Sequence, residues 1–269
     1  MKPQAILFDL DGVLYEGERP LPGAAEAVRW VRGQGIPHLF LTNTTSRSRR
    51  MLAERLAAMG IAADEKDFLT PAVAAREWLA ARIDGPLALF VPDAVMVEFS
   101  AFPRLDETLS EGAAAVVLGD LGAQWDFARL NRAFRLLMDN PDAPLVALGM
   151  TRYWRAGDGL RLDVGPFVEA LRYASGREPV VLGKPARPFY QAAIERLGVP
   201  AAAAWMIGDD IRGDIEAAQR AGLHALLVRS GKFLPTDLEQ GITPDAVLDS
   251  VADLPAWIEG KGLDSERMS

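Results

Sequence analysis

Four short stretches of this 269-residue chain carry side chains suited to work on a phosphoryl group beside a divalent cation. The first is Asp9-Leu10-Asp11-Gly12-Val13, where an apolar run gives out into an Asp-Gly pair. Two carboxylates two residues apart at such a place are costly unless a cation or a proton compensates them. Asp-Gly is also a common turn. The second, Leu41-Thr42-Asn43, offers a hydroxyl, an amide and backbone N–H groups that suit phosphate oxygens, although Thr-Asn equally caps ordinary helices. The third, Gly183-Lys184-Pro185, supplies a lysine able to neutralise a carboxylate or a phosphoryl oxygen. It is not a nucleotide P-loop, because Pro185 stands where that loop needs Ser or Thr. The fourth runs from Gly208 through Asp209, Asp210 and Arg212 to Asp214. Three clustered aspartates suit a hard cation such as magnesium, which takes oxygen ligands, while Asp214 also suits a helix N-terminus.

Apolar runs of strand length alternate with amphipathic helical stretches from end to end, which predicts an α/β fold with a largely parallel sheet. Strands are expected at 5–10, 37–42, 68–70, 180–182, 203–207 and 225–228, and helices at 24–32, 46–59, 189–197 and 215–221. Each of the four stretches then follows a strand, at the end where open α/β sheets bind ligands. Between them the pattern restarts. Residues 76–179 read as a second α/β domain inserted into a first made of 1–75 and 180–269, and residues 260–269 read as a polar end.

Composition narrows the function. A formal net charge of −8 argues against a nucleic-acid partner, which needs clustered cations. The absence of cysteine removes disulfides and thiolate chemistry and fits a reducing, cytoplasmic setting. Two histidines, His38 and His224, are too few for a His-rich zinc site and are expected to be packed or hydrogen-bonded. No signal peptide and no apolar run of membrane-spanning length is seen.

The order Asp-x-Asp-Gly-Val, Thr-Asn, Gly-Lys-Pro, Gly-Asp-Asp-x-x-x-Asp resembles the haloacid dehalogenase-like (HAD) phosphatases. The place of the insertion resembles their type IIA branch. The stretches 148–167 and 206–233 look like the group of the phospholysine phosphohistidine inorganic pyrophosphate phosphatase and its HAD-domain-containing sister. The resemblance implies a Rossmann-like three-layer core with an α/β C2-type cap, and a phosphoric monoester hydrolase working through an aspartyl-phosphate. It implies Asp9 as nucleophile and Asp11 as general acid and base, with Thr42, Asn43 and Lys184 on the phosphoryl oxygens. Magnesium would be held by Asp9, the backbone carbonyl of Asp11 and Asp209, while Asp210 and Asp214 orient ligands and Lys184. Arg152, Tyr153 and Trp154 in the cap are candidates for the leaving group. The substrate is expected to be a small phosphorylated metabolite. Asp11 stands where the phospholysine enzyme has a serine, which favours a monoester over a phosphoamide or pyrophosphate. Related enzymes often dimerise through the cap. A phosphotransferase or phosphomutase using Asp9, and a non-catalytic protein on the same fold, are the competing readings.

Overall fold

The computed structural model describes residues 2–260, so the polar end expected beyond 260 lies outside the described residues. The chain divides into two compact units, one of residues 1–42, 49–69 and 184–269, the other of 43–48 and 70–183.

The first unit is built on a six-stranded parallel sheet. Its strands, in spatial order, are Ala246–Leu248, His224–Val228, Ala204–Gly208, Ala5–Asp9, His38–Leu41 and Phe68–Leu69. Ala5–Asp9 and Ala204–Gly208 are buried at every residue, as near-continuous apolar strands covered on both faces should be. One face is lined by Ile6, Phe8, Phe40, Phe68, Ile207 and Leu226. The helix Ala24–Gly33 lays Ala24, Ala27, Val28 and Val31 into that same core, a spacing that keeps one stripe inward. Each fully buried Val, Leu, Ile or Phe side chain contributes about 1.5–3 kcal/mol. The other face meets the helix Arg187–Leu197, whose Phe189, Tyr190 and Ala193 are buried.

The second unit repeats the plan with four parallel strands in the order Val180–Val181, Leu145–Ala147, Ala115–Leu118 and Leu87–Phe90. Its core joins Phe90, Val116, Leu118 and Leu145 to Leu136 and Leu137 of the helix Phe127–Asp139 and Val168 and Leu171 of Val164–Ser175. Trp125 stacks between Phe90 and Phe167 at centroid distances of 5.9 and 4.7 Å.

Several expected elements are corrected. The first strand ends at Asp9 because the Leu10 carbonyl turns to accept the amides of Val13, Leu14 and Tyr15. Thr70 leaves its strand to cap the helix Pro71–Ala80, accepting the Val73 amide at 3.3 Å. The helix expected at 46–59 begins only at Arg49, since residues 43–48 group with the second unit, and Met51 points outward. The strand expected at 180–182 to resume the first sheet belongs instead to the second, where Val180 and Val181 pair with Val146 and Ala147. Three strand elements escaped the sequence pattern: the edge strand Ala246–Leu248, the antiparallel hairpin Tyr153–Ala156 with Gly159–Leu162, and the short hairpin Tyr15–Glu16 with Arg19–Pro20. The first is only three residues long, and the second is too exposed to show an apolar run.

Candidate active site

The site begins with register. Asp9 is the last residue of its strand and pairs with Leu41, so Thr42 lies one residue past the end of the neighbouring strand. On the other side Phe8 pairs with Ile207, so Asp209 lies just past the end of its own strand. Three chain segments far apart in sequence are thus delivered to one rim by the parallel ladder.

The helical turn after Asp209 starts earlier than expected. Asp210 caps it, accepting the amides of Arg212 at 3.0 Å and Gly213 at 2.8 Å. The turn is a wide π-type one spanning Ile211–Glu216, a form that recurs at functional sites. It folds Asp214 back over Gly208, where a side-chain Cβ would collide with the Asp214 carboxyl. The buried Tyr190 holds this turn from beneath, donating its hydroxyl hydrogen to the Gly213 carbonyl at 2.8 Å.

Lys184 is buried between two of the aspartates, donating to Asp9 Oδ1 at 2.6 Å and to Asp214 Oδ1 at 2.7 Å. Carboxylate oxygens of Asp9, Asp209 and Asp214 all lie within 4.8 Å of one another. Three carboxylates and one ammonium leave two negative charges over if every group is ionised. Burial acts to lower the Lys184 ammonium, but Asp214 and Asp9 outweigh it and hold it well above its ordinary value. Asp214 is pushed up to about 7, by burial first and by Asp9 and Asp209 against the pull of Lys184. Asp209 is raised to about 6, again by burial first, with Asp9 adding to it and the Lys232 amide opposing it. The lysine keeps its proton and two of the acids resist losing theirs, which marks a site short of positive charge. Asp209 Oδ1 is buried with no hydrogen-bond partner among the described residues. Buried carboxylate oxygen, unpartnered and close to two others, is a donor set suited to a divalent cation of the magnesium type, so the residues fit that ion.

The remaining expected residues fall as follows. Asp11 is exposed at the mouth of its loop. Asp210 spends its carboxylate on the helical cap and lies 3.6 Å from the Lys232 ammonium, so this pair is neutral by itself. Asn43 groups with the second unit, immediately after Thr42. Arg152, Tyr153 and Trp154 also lie in the second unit, at the hairpin, with Tyr153 and Trp154 exposed and the Arg152 guanidinium 5.7 Å from the Tyr153 ring centroid. His38 bonds through Nδ1 with the Ile36 carbonyl, and His224 through Nδ1 with Asp245 at 2.7 Å.

Sequence reading gave no role to the segment Ser230-Gly231-Lys232, which follows the strand His224–Val228 and reaches the same rim through the Lys232 amide, bonded to Asp209 Oδ2 at 2.7 Å. The available signal was a glycine just beyond the end of an apolar strand, the same position that drew attention to the other four stretches.

Comparison with known proteins bears on the family and the fold. A haloacid dehalogenase-like hydrolase family model matches residues 6–101, and a HAD-hydrolase-like model matches 181–254. The chain belongs to the haloacid dehalogenase-like hydrolases. It is 36% identical over 255 residues to the human phospholysine phosphohistidine inorganic pyrophosphate phosphatase, covering 93% of this chain and 92% of that one. It is 38% identical over 245 residues to the haloacid dehalogenase-like hydrolase domain-containing protein 2 of Rattus norvegicus, covering 91% of each. Among solved structures, the p-nitrophenyl phosphatase from Archaeoglobus fulgidus superposes with a TM-score of 0.84 at 26% identity, over 97% of this chain and all of that one. No described helix is long and apolar enough to cross a membrane.

Proposed function

We propose that the protein is a magnesium-dependent phosphatase that hydrolyses a small phosphate monoester through a phosphorylated Asp9. One observation carries the reading: Asp9, Asp209 and Asp214 are crowded around a single buried lysine, with an orphan oxygen on Asp209. A scaffold protein gains nothing from buried charges of one sign, whereas an enzyme that must bind a dianion needs a place for a cation.

In this reading the Asp9 carboxylate, active at neutral pH without a base, attacks phosphorus, and the bond to the leaving oxygen breaks. Asp11, exposed at the loop mouth, gives that oxygen its proton. The deprotonated Asp11 then takes a proton from water, whose oxygen attacks the acyl-phosphate, releasing inorganic phosphate and restoring Asp9. General acid–base help of this kind contributes about 10²–10⁴-fold. Thr42, the Asn43 backbone and Lys184 bind phosphoryl oxygens as charge spreads over them. Asp9, the Asp11 carbonyl and Asp209 would hold magnesium, which supplies positive charge for an incoming dianion when bound. Asp214 and Asp210 fix Lys184 and the turn that carries them.

The human relative is named for phospholysine, phosphohistidine and inorganic pyrophosphate. Phosphoamides and pyrophosphate are therefore further substrates to try, with a carboxylic acid at Asp11 favouring monoesters. The test is release of inorganic phosphate from p-nitrophenyl phosphate and from a panel of phosphorylated metabolites, with magnesium and with EDTA. The expected outcome is turnover that needs magnesium and yields free phosphate. Turnover unchanged in EDTA, or phosphoryl transfer to added alcohols in preference to water, would overturn the proposal.

A further inference from the structure

The loop after the strand His224–Val228 takes hold of three separate parts of the site with three consecutive residues. The Ser230 hydroxyl donates to the Gly12 carbonyl at 2.6 Å. The Gly231 amide donates to Glu16 Oε1 at 3.0 Å. The Lys232 amide donates to Asp209 Oδ2 at 2.7 Å. The loop therefore ties the turn beyond Asp9 and Asp11, the short hairpin after it and the Asp209 carboxylate into one frame.

Two glycines make the frame tight. Gly12 and Gly231 both have left-handed backbone, with φ of 91° and 64°. A Cβ on either would run into Asp209 Oδ2, and a Cβ on Gly231 would also strike the Gly12 backbone. Asp209 is thus wedged between two backbones that carry no side chains. Its Oδ2 is occupied by the Lys232 amide, while Oδ1 is buried and has no partner among the described residues. A carboxylate free to spin about its last bond would present either oxygen. This one presents only Oδ1.

We infer that Ser230 and Gly231 are positioning residues for divalent-cation binding: they set the Asp209 carboxylate and the Asp11–Gly12 backbone in one fixed arrangement. The inference rests on the reading of the site given under Proposed function. Neither residue's side chain belongs to the acidic cluster itself. Their effect passes through Gly12 and Asp209, as hydrogen-bonded partners behind metal ligands generally do, and losing such a partner typically weakens metal affinity 10–100-fold.

The experiment uses the full-length protein without substrate. Manganese binding is measured by calorimetry or by loss of the free-ion electron paramagnetic resonance signal, for wild type, Ser230→Ala, Ser230→Thr and Gly231→Ala. The expected result is a dissociation constant about tenfold weaker for Ser230→Ala and weaker still for Gly231→Ala, with Ser230→Thr close to wild type. The magnesium concentration for half-maximal turnover should rise by the same factor. Melting temperature in EDTA separates this from general damage, because a purely structural role would lower it and leave metal affinity in place. Should Gly231→Ala fail to fold, Ser230→Ala still decides. Wild-type metal affinity in a folded Ser230→Ala overturns the inference alone. Failure of the wild type to bind manganese overturns both this inference and the functional reading beneath it.

Discussion

The two rims of the core sheet are made by the same strands and rest on the same apolar layer, yet they treat charge differently. At the amino-terminal rim acidic side chains meet basic partners beside them. His224 Nδ1 lies 2.7 Å from Asp245, which also accepts the Ala225 amide, and Arg32 lies 2.7 Å from Asp67. These contacts are partly exposed and close locally. At the carboxyl-terminal rim Lys184 must serve both Asp9 and Asp214, and Asp209 is left with an empty oxygen. Folding alone does not explain that imbalance, because buried uncompensated charge destabilises. The contrast teaches that the rim whose charges do not close is the one arranged around something that binds there. It is broken by any substitution at the closed rim that impairs chemistry, or at the open rim that does not.

The largest effect is expected at Asp9. Asp9→Asn keeps the shape but removes the nucleophile, and turnover should fall at least about 10³-fold. Circular dichroism melts in EDTA should show a fold no less stable, since one of the crowded charges is gone. His224→Ala is the matched change at the closed rim. It should leave turnover within about twofold and cost about 0.5–1 kcal/mol in urea denaturation, the usual worth of a partly exposed pair. A comparable loss of turnover in both variants would erase the distinction between the rims.

Lys184→Met comes next. It strips a buried ammonium from a cluster of three carboxylates, and breaking a buried pair in this way typically costs about 3–5 kcal/mol. Urea denaturation in EDTA at pH 7.5 measures the loss. The loss should shrink at pH 5.5, where Asp209 and Asp214, raised to about 6 and about 7, are mostly protonated. A variant as stable as wild type at pH 7.5 would mean that the carboxylates never carried unbalanced charge.

The chemistry was more legible in the sequence than the architecture that delivers it. Asp9 and Asp209 announced themselves because carboxylates beside apolar strands are out of place, Lys184 stood out only in their company, and the three do converge. The parallel strands of the core were legible for the same reason, being apolar on both faces. What escaped was set by tertiary pairing. Val180–Val181 looks like any core strand, and only its neighbours assign it to the second sheet. The wide turn at Ile211–Glu216 depends on Asp210 capping two amides, which is a local pattern, and on Tyr190 reaching from another helix, which is not. Ser230 and Gly231 act through hydrogen bonds and backbone proximity to residues more than two hundred positions away.

A third prediction sharpens the contrast through pH. Asp209 and Asp214 have folded-state values raised to about 6 and about 7, above the ordinary 3.8. An acid whose folded value is raised stays protonated in the folded chain after the unfolded chain has released its proton. Between about pH 4 and 7 the folded state therefore binds more protons, and stability falls as pH rises through that window. Denaturation in EDTA should show a decline of at least about 1 kcal/mol from these groups, and Asp209→Asn should flatten it. Added magnesium should restore stability most strongly near pH 8, above both folded-state values, where both carboxylates are ionised. A profile that magnesium leaves unchanged would detach the raised acids from cation binding.

The smallest effect belongs to the closed rim and carries the opposite sign. His38 bonds through Nδ1 to the Ile36 carbonyl, its Nε2 is buried without a partner among the described residues, and its ring meets the rings of Phe8 and Phe40. Burial lowers its value from the ordinary 6.5, and nearby Asp67 and Arg32 act in opposite directions. A base lowered in the folded state is protonated first in the unfolded chain, so wild type loses stability as pH drops below about 6.5. His38→Phe removes that proton uptake and the orphan nitrogen while adding apolar contact in an aromatic cluster. The variant should match wild type within about 0.5 kcal/mol at pH 7.5 and be the more stable of the two at pH 5.5. Turnover and manganese affinity should not move. A shift in either would show that the amino-terminal rim communicates with the acidic cluster, and the two ends of these strands would have to be treated as one site.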